Sequence, residues 1–360
     1  MKKISLVLVI FLFFVIYSGC KANSPTAVAT TVPTSVLSAT ITTTFTITTT
    51  ITATGTITKT ATATESATIT ATTTMTSTNT VAPTCAYTEL VSVPGGTFTQ
   101  TDGTASFNHT ISAFKIGKYE VTYDLWFTVR TWALNHGYTI VSSGQEGKDG
   151  SQGADPTSAK YQPVTAMSWR GAMVWCNAYS EMNGLTPCYY ADLGLTTVIK
   201  DSSNANATVC DAAVCDWEAN GYRLPSEGEW QYAASYKDGS SWQPYDYASG
   251  ATADYNDATA TGLVAWYMAN AGDADHNVGG KNANALGIYD MAGNAFEYCW
   301  DWYGDYPGNS TDYRGPNSGT EIVVRGGSFG MSAVPMKVGA RSTTSKNGAL
   351  YWFGFRVAKN

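Results

Sequence analysis

The clearest hydrophobic pattern in the chain lies in residues 284–302. Its second half alternates large aromatic residues with smaller or polar ones. The aromatic positions are Phe296, Tyr298, Trp300 and Trp302. A period of two places these rings on one face of a strand, and the Gly293–Asn294 dipeptide before them is typical of a turn. We therefore expect a bend and then a strand, with one face in the core and Glu297 on the other.

Three helices are predicted by apolar residues at helical spacing, each preceded by a residue that can cap its first turn. Thr122 is placed to cap the first helix, the second is predicted to begin near Ser168, and Ser226 is placed to cap the third. Ser226 is followed three residues later by Glu229, which completes a capping box. The first helix is expected to end at Gly137 and the second at Asn183–Gly184, because glycine commonly terminates helices.

Strands are predicted on both sides of these helices. Residues 90–98 and 113–120 have strand-like runs broken by glycine or proline, and the chain after Gly262 has the pattern of short strands and Gly-rich loops. The pattern therefore predicts a domain of short strands and about three helices.

The N-terminus, residues 1–20, has the pattern of an export signal. Two lysines precede an apolar run over residues 6–16, which is shorter than the roughly 20 residues that span a membrane. Ser18–Gly19 then precede Cys20 in a sequence that resembles a lipobox, in which the cysteine becomes the lipidated N-terminus. A plain cleaved signal peptide is the alternative. Lys21 rather than Asp follows the cysteine, and the resemblance to Gram-negative lipoproteins therefore implies that the protein is located at the outer membrane or cell surface. Through its lipid anchor, the protein is expected to have the membrane as a partner.

Residues 21–84 and 85–360 differ sharply in composition. The first segment is nearly all Thr, Ala, Ile, Val, Ser and Pro, which cannot bury enough apolar surface to offset chain entropy, and it is predicted to be an extended stalk. From Cys85 the chain is rich in Trp, Tyr and Gly and is long enough for one large domain. The net charge of -7 and pI near 5.0 exclude a broad basic surface, so nucleic acid is not expected as a partner.

Seven further runs occur, with residues 284–302, in the order typical of one family. They are PGGTF (94–98), YEVTYDLW (119–126), PVTAMSW (163–169), GYRLPSEGEW (221–230), VRGGSF (324–329), GARS (339–342) and GFRV (354–357). Together they resemble the formylglycine-generating (sulfatase-modifying factor) family over nearly all of residues 90–358. The resemblance implies a C-type-lectin-like α+β fold with short sheets, modest helix content and much irregular loop.

Asp290 and Glu297 are candidate ligands for a cation. They flank a bend rich in main-chain carbonyls, and Ca²⁺ prefers such hard oxygen ligands. The alternative is that Asp290 caps the turn and Glu297 lies in solvent or pairs with an arginine. The family resemblance implies a calcium ion held by these two side chains and by the carbonyls of Gly293 and Ala295. A second acidic run, residues 273–277, lacks the glycine and glutamate of an EF-hand loop and is expected to be a solvated loop.

The family resemblance also implies copper chemistry, which the residues here do not support. Enzymatic members oxidise a substrate cysteine with O₂ at copper(I), a soft ion held by two cysteine thiolates. The matching interval, residues 328–340, contains no cysteine. It contains Met331 and Met336, whose thioethers are more often core filler than ligands. We therefore expect neither copper binding nor formylglycine formation.

Cysteines elsewhere in the domain have a different expected role. Cys210 and Cys215 stand in a C-x₄-C arrangement, and in an exported protein we expect a disulfide between them or with Cys188. Cys176 and Cys299 are expected to be free thiols in the core.

Two functions of different classes are consistent with these residues. In the first, the protein is a calcium-stabilised binding or scaffold module whose ligand is a protein or a glycan. In the second, it is an oxidoreductase of the family that acts on protein cysteine through a non-standard site. The resemblance implies a polar framework that a binding groove would keep: Arg325, Ser328, Arg341 and Arg356. Copper content would separate the two functions.

Overall fold

The computed structural model describes residues 85–360. The predicted signal peptide, Cys20 and the stalk predicted over residues 21–84 lie outside the described residues. In the part of the chain that is described, no helix combines the length and the apolar character needed to cross a membrane.

Five α-helices occur in residues 85–360. They are α1 (Tyr123–Leu134), α2 (Trp169–Met182), α3 (Ala207–Asp211), α4 (Glu227–Ser235) and α5 (Ala258–Val264). Three begin where the sequence predicts, because the side chains of Thr122, Ser168 and Ser226 each accept a hydrogen bond from the N–H three residues ahead. The helices α3 and α5 were not predicted, since neither is long enough to show an apolar period.

Fourteen short strands occur in the same residues. They are β1 (Leu90–Val93), β2 (Gly96–Thr101), β3 (Ser106–Ile111), β4 (Phe114–Gly117), β5 (Gln145–Glu146), β6 (Val164–Thr165), β7 (Tyr189–Tyr190), β8 (Val214–Cys215), β9 (Phe296–Trp302), β10 (Ser310–Thr311), β11 (Glu321–Arg325), β12 (Ser342–Ser345), β13 (Phe353–Gly354) and β14 (Ala358–Lys359). They form sheets in the orders β1-β4-β14, β10-β3-β2, β12-β11-β9-β13, β5-β6 and β7-β8. The result is the mixed α+β architecture that the resemblance implied.

Strand β9 lies inside the four-stranded sheet, antiparallel to β11 and parallel to β13. Its aromatic face packs in the larger core, with Trp126 of α1 and Trp175 of α2 stacked at 5.7 Å in the same cluster. The opposite face is also buried: Cys299 is in the second core, beside Trp230 of α4. The expected strand is confirmed, but the second face is core as well, because α4 covers it.

Candidate functional site around β9 and residues 325–341

The bend that precedes β9 is built from residues in the left-handed backbone region. Asp290, Gly293 and Asn294 have φ of 57°, 77° and 61°. Gly293 is required by close approach, because a Cβ atom there would lie 2.1 Å from the carbonyl oxygen of Trp266. The turn predicted from the Gly293–Asn294 pair is therefore present, and it sets the entry of the chain into β9.

Glu297 forms a fully buried ion pair with Arg356. Its two carboxylate oxygens accept hydrogen bonds from Nε and Nη2 of Arg356, each at 2.6 Å, and Oε2 also accepts from the indole N–H of Trp230 at 2.8 Å. Arg356 also donates to the carbonyls of Gly117 and Tyr289. Such bidentate, charge-assisted contacts fix both side chains. Glu297 thus pairs with an arginine, as the alternative interpretation had it, but in the core and not in solvent.

Asp290 is a second buried carboxylate beside this pair. Its Oδ2 accepts a hydrogen bond from the N–H of Gly279 at 2.6 Å, so it binds a neighbouring loop and not its own turn. Burial raises the pKa of Asp290 to about 6, and the charge of Glu297 also raises it, while the Gly279 N–H and Arg356 lower it.

Glu120, which the sequence analysis did not single out, is the third carboxylate of this group. It accepts hydrogen bonds from the side-chain amide of Asn294 at 2.6 Å and from the N–H of Ala295 at 2.9 Å. Burial, followed by the charges of Asp290 and Glu297, raises the pKa of Glu120 well above its ordinary value. Three buried carboxylates therefore share the single guanidinium of Arg356.

The donor atoms at this bend suit a hard cation, because they are all oxygens and the local charge is in negative excess. The structure shows one obstacle: both oxygens of Glu297 already accept from Arg356, so an ion would have to share that carboxylate. Within residues 85–360 no group of three or more His, Cys, Asp or Glu side chains is placed to hold a metal ion. A calcium ion would therefore depend on the carbonyls of Gly293 and Ala295 as well as on Asp290 and Glu297.

Arg325 and Arg341 share a different carboxylate, Glu227 at the first position of α4. Arg341 makes two hydrogen bonds to it, at 2.6 and 2.9 Å, and Nε of Arg325 lies 3.1 Å from its Oε1. Arg325 also donates to the side chain of Gln231 at 2.6 Å. The sequence predicted Glu227 only as part of a helix start, so its role as an ion-pair partner was missed.

The candidate groove residues are therefore mostly part of the core. Arg325, Ser328 and Arg356 are fully buried, and the hydroxyl of Ser328 has no hydrogen-bond partner. Arg341 is nearly buried, with its guanidinium over the rings of Tyr303 and Tyr306. Three of the four side chains are closed off from solvent in this structure, so these residues line no open groove.

Residues 328–341 contain no thiol and pack through methionine. Met336 is fully buried in a third cluster formed mainly by small residues. It lies directly over Gly327, where a Cβ atom would meet the Met336 methyl carbon at 2.2 Å. Met331 is half-buried at the edge of the same cluster. Met336 is thus core filler, as expected.

The predicted disulfide is wrong. Cys176, Cys188, Cys210, Cys215 and Cys299 are all buried, and none of them forms a disulfide. The thiol of Cys210, in α3, points to the carbonyl of Asp201 at 3.3 Å, while Cys215 lies in β8 opposite Tyr189. Burial raises the pKa of Cys210 to about 12 and that of Cys188 to about 11. The predictions that Cys176 and Cys299 are free core thiols are confirmed.

The acidic run 273–277 is only partly solvated. Asp273 is exposed and forms an ion pair with Lys148. Asp275 is instead 3% exposed, and neither of its carboxylate oxygens makes a hydrogen bond of normal geometry. No local pattern indicated this difference, because Gly147, which packs on Asp275, is distant along the chain.

The chain is similar to proteins of one family along most of its length. A model of the sulfatase-modifying factor enzyme 1-like domain matches residues 76–360. The chain is 34% identical over 240 residues to chaperone protein LppX of Paenibacillus barcinonensis, which covers 61% of this chain and 74% of that protein. It is 28% identical over 151 residues to the formylglycine-generating enzyme of Thermomonospora curvata, which covers 38% of this chain and 49% of that enzyme.

Two solved structures share the fold. Treponema denticola variable protein 1 is 28% identical, with a TM-score of 0.59 over 75% of this chain and 94% of that chain. CarF is 26% identical, with a TM-score of 0.59 over 76% of this chain and 98% of that chain. Both agree with the α+β fold that the sequence motifs imply. Since the domain model spans well over half of its residues, the chain belongs to the sulfatase-modifying factor, or formylglycine-generating enzyme, family.

Proposed function

We propose that this protein is an exported, lipid-anchored binding or scaffold module that has the fold of its family without the oxidase chemistry. The observation that carries the proposal is the interval between Ser328 and Arg341. It has no cysteine, and its Met336 fills the core under Gly327. A thioether cannot ionise to the thiolate that a copper(I) oxidase site requires.

The thiols elsewhere in residues 85–360 do not supply a substitute pair. All are buried, and burial raises the pKa of Cys176, Cys215 and Cys299 well above the ordinary value. Since the thiolate and not the thiol is the nucleophile and the metal ligand, these groups stay inert at neutral pH.

A binding role agrees with two other facts. One relative is named a chaperone protein, and a chaperone acts by binding. The net charge of -7 disfavours nucleic acid, and the proposed partner of the module is a protein or a glycan.

The test is an oxidation assay on the full chain. The purified protein is incubated with copper(I), O₂ and a sulfatase-type Cys-x-Pro-x-Arg peptide, and the peptide is examined by mass spectrometry for formylglycine. A formylglycine-generating relative serves as the positive control. We expect no conversion; turnover that persists in a Cys210→Ser/Cys215→Ser variant would show an oxidase that works through another site.

We propose further that calcium stabilises the bend before β9. The support is the excess of buried carboxylates around Arg356 and the oxygen-only donor set of Asp290, Gly293, Ala295 and Glu297. A ligand that binds only the folded state stabilises that state by about 2.7 kcal/mol when its free concentration is one hundred times its Kd. A chelator should therefore lower the Tm of the wild type but not of Asp290→Asn. Asp192→Asn, which removes a surface carboxylate, is the matched control; an unchanged wild-type melting curve would rule out the ion.

The anchor is tested separately. Mass spectrometry of the mature protein should show a lipid-modified Cys20 as its first residue, and Cys20→Ser should release the protein from the membrane fraction. An unmodified Cys20 in a soluble protein would favour the plain signal peptide.

A further inference from the structure

A cavity of about 320 Å³ lies beside the start of α1 and belongs neither to the bend before β9 nor to residues 325–341. Its walls come from Tyr123, from residues 146–162 and from residues 274–275. Four carboxylates line it: Glu146, Asp149, Asp155 and Asp275. The volume is at the lower end of the roughly 300–1,000 Å³ that small-molecule sites occupy.

Asp275 is the residue that marks this cavity as a site. It is 3% exposed, and neither of its buried carboxylate oxygens makes a hydrogen bond of normal geometry, although the N–H groups of Lys148 and of Asp275 itself lie near it. Buried polar groups in folded proteins are almost always paired, so this carboxyl group in the cavity wall has spare capacity to bind a donor that enters the cavity. Burial raises the pKa of Asp275 well above its ordinary value, with smaller opposing effects from the N–H of Lys148 and its own N–H.

The chain is shaped to hold Asp275 in this position. Gly147 packs against it so closely that a Cβ atom there would lie 2.9 Å from the Asp275 Cβ and 2.3 Å from the side-chain oxygen of Gln162. Gly147 has φ of 49°, a conformation in which glycine is favoured. The segment that follows is fixed too, because Glu146 accepts hydrogen bonds from the N–H and the hydroxyl of Thr157.

The charges that line the cavity are unbalanced. Against four carboxylates there is one cationic side chain, Lys148, and its ammonium group is directed at the carboxylate and carbonyl of Asp273. Asp149 and Asp155 are exposed at the rim, whereas Glu146 and Asp275 are buried. Negative charge is therefore concentrated at the rim, where it attracts cations, and the carboxyl group of Asp275 lies behind it in the interior.

A compact metal ion does not suit this arrangement. No set of three or more His, Cys, Asp or Glu side chains within residues 85–360 is placed to coordinate one. Glu146 is already satisfied by Thr157, and part of the wall is apolar, from Tyr123, Ala154 and Ala159. A ligand with several separated positive charges and an apolar stem matches both the spread of carboxylates and the apolar wall.

We propose that this cavity binds a small aliphatic di- or polyamine, with Asp275 as the counter-ion of one ammonium group and the rim carboxylates facing another. This inference rests on the proposed binding function and names the ligand class of one of its sites. The buried ammonium group donates to the oxygens of Asp275, and the methylene chain lies along the apolar wall.

Isothermal titration of the full chain with putrescine and spermidine tests the proposal. We expect saturable 1:1 binding that a neutral diol of equal length does not reproduce. Asp275→Asn keeps the shape but removes the charge, so it should weaken binding at least tenfold. The matched control is Glu218→Gln, which removes an exposed carboxylate that does not line the cavity and should leave the affinity within twofold of wild type.

A thermal melt of the same variants guards against a folding defect. Asp275→Asn removes an unpaired buried carboxyl group, so the variant without ligand should melt at the same or a higher temperature than wild type. Equal amine affinity in Asp275→Asn and wild type, or no amine binding at millimolar concentration, would overturn the proposal. Calcium binding that is lost in Asp275→Asn but kept in Asp290→Asn would also overturn it, because it would place a metal ion in this cavity. Formylglycine production would contradict the proposed function and leave these titrations unaffected.

Discussion

Replacement of Arg356 by methionine should be among the most damaging single changes in the domain. Methionine keeps an unbranched apolar chain but removes the positive charge. Glu297, Glu120 and Asp290 would then remain buried with no guanidinium beside them. Breaking a buried ion pair by removing one partner typically costs about 3–5 kcal/mol, because the charge left behind is uncompensated.

The size of the loss depends on Glu297 keeping its charge in the core, so a second change should reverse it. In Arg356→Met/Glu297→Gln the glutamine oxygen can still accept from the Trp230 indole, and the stranded charge is gone. We expect the double variant to lose at least about 2 kcal/mol less unfolding free energy than the sum of the losses in the two single variants. Urea unfolding followed by tryptophan fluorescence measures all three values, with chelator present so that no cation replaces the arginine.

A control comes from Arg170, which is itself buried but pairs with the partly exposed carboxylate of Asp211. Lys346 also contacts Asp211, so Arg170→Met leaves that partly solvated carboxylate with a partner and should cost less than Arg356→Met. If Arg356→Met were no more harmful than Arg170→Met, the charge of Glu297 would have to be balanced by water or by another group. The assignment of a closed ion pair would then be refuted.

Two further predictions concern pH. Burial and the charge of Glu227 raise the pKa of Asp301 to about 8, so the folded state keeps a proton that the unfolded state releases. The free energy of unfolding should therefore fall by up to about 1.4 kcal/mol per pH unit as the pH rises from about 4 to 8. Urea unfolding at pH 5, 6.5 and 8 measures this slope, and Asp301→Asn should flatten it. Burial and Arg314 lower the pKa of His109 to about 4, so the unfolded state binds the extra proton and stability should be lost as pH falls from about 6.5 to 4. The two effects oppose each other below pH 6.5, so each is measured as the difference in the pH dependence of unfolding free energy between wild type and the variant that lacks the group. A His109→Gln variant with the same pH dependence as wild type would contradict the second prediction.

Local features of the fold were predictable because their causes are local. The side chains of Thr122, Ser168 and Ser226 cap helices through N–H groups three residues away, and the turn at Gly293 depends on its own backbone. Such features depend on a few consecutive residues, so they can be located from the sequence alone.

Features that depend on distant partners were missed or misread. The polar face of β9 suggested solvent, but Glu297 is buried by Arg356, which lies 59 residues further along the chain. Cys210 and Cys215 are close in sequence and suggested a disulfide, yet one is in α3 and the other in β8. Asp275 looked like a loop carboxylate because the glycine that packs on it, Gly147, belongs to another segment.

The arginines that resemble a binding framework act here as internal supports of the fold. Arg356, between β13 and β14, forms an ion pair with Glu297 of β9. Arg325 and Arg341 both form ion pairs with Glu227 at the start of α4. These residues lie in the motif runs that carry the family resemblance. The runs therefore contribute mainly to the folded core and contribute few side chains that a ligand could reach. The amine cavity is formed mainly by residues 146–162 and 274–275, which lie between the runs. What distinguishes this protein functionally is therefore best sought in those intervening segments, where the buried carboxyl group of Asp275 contributes nothing to stability by itself and faces the cavity.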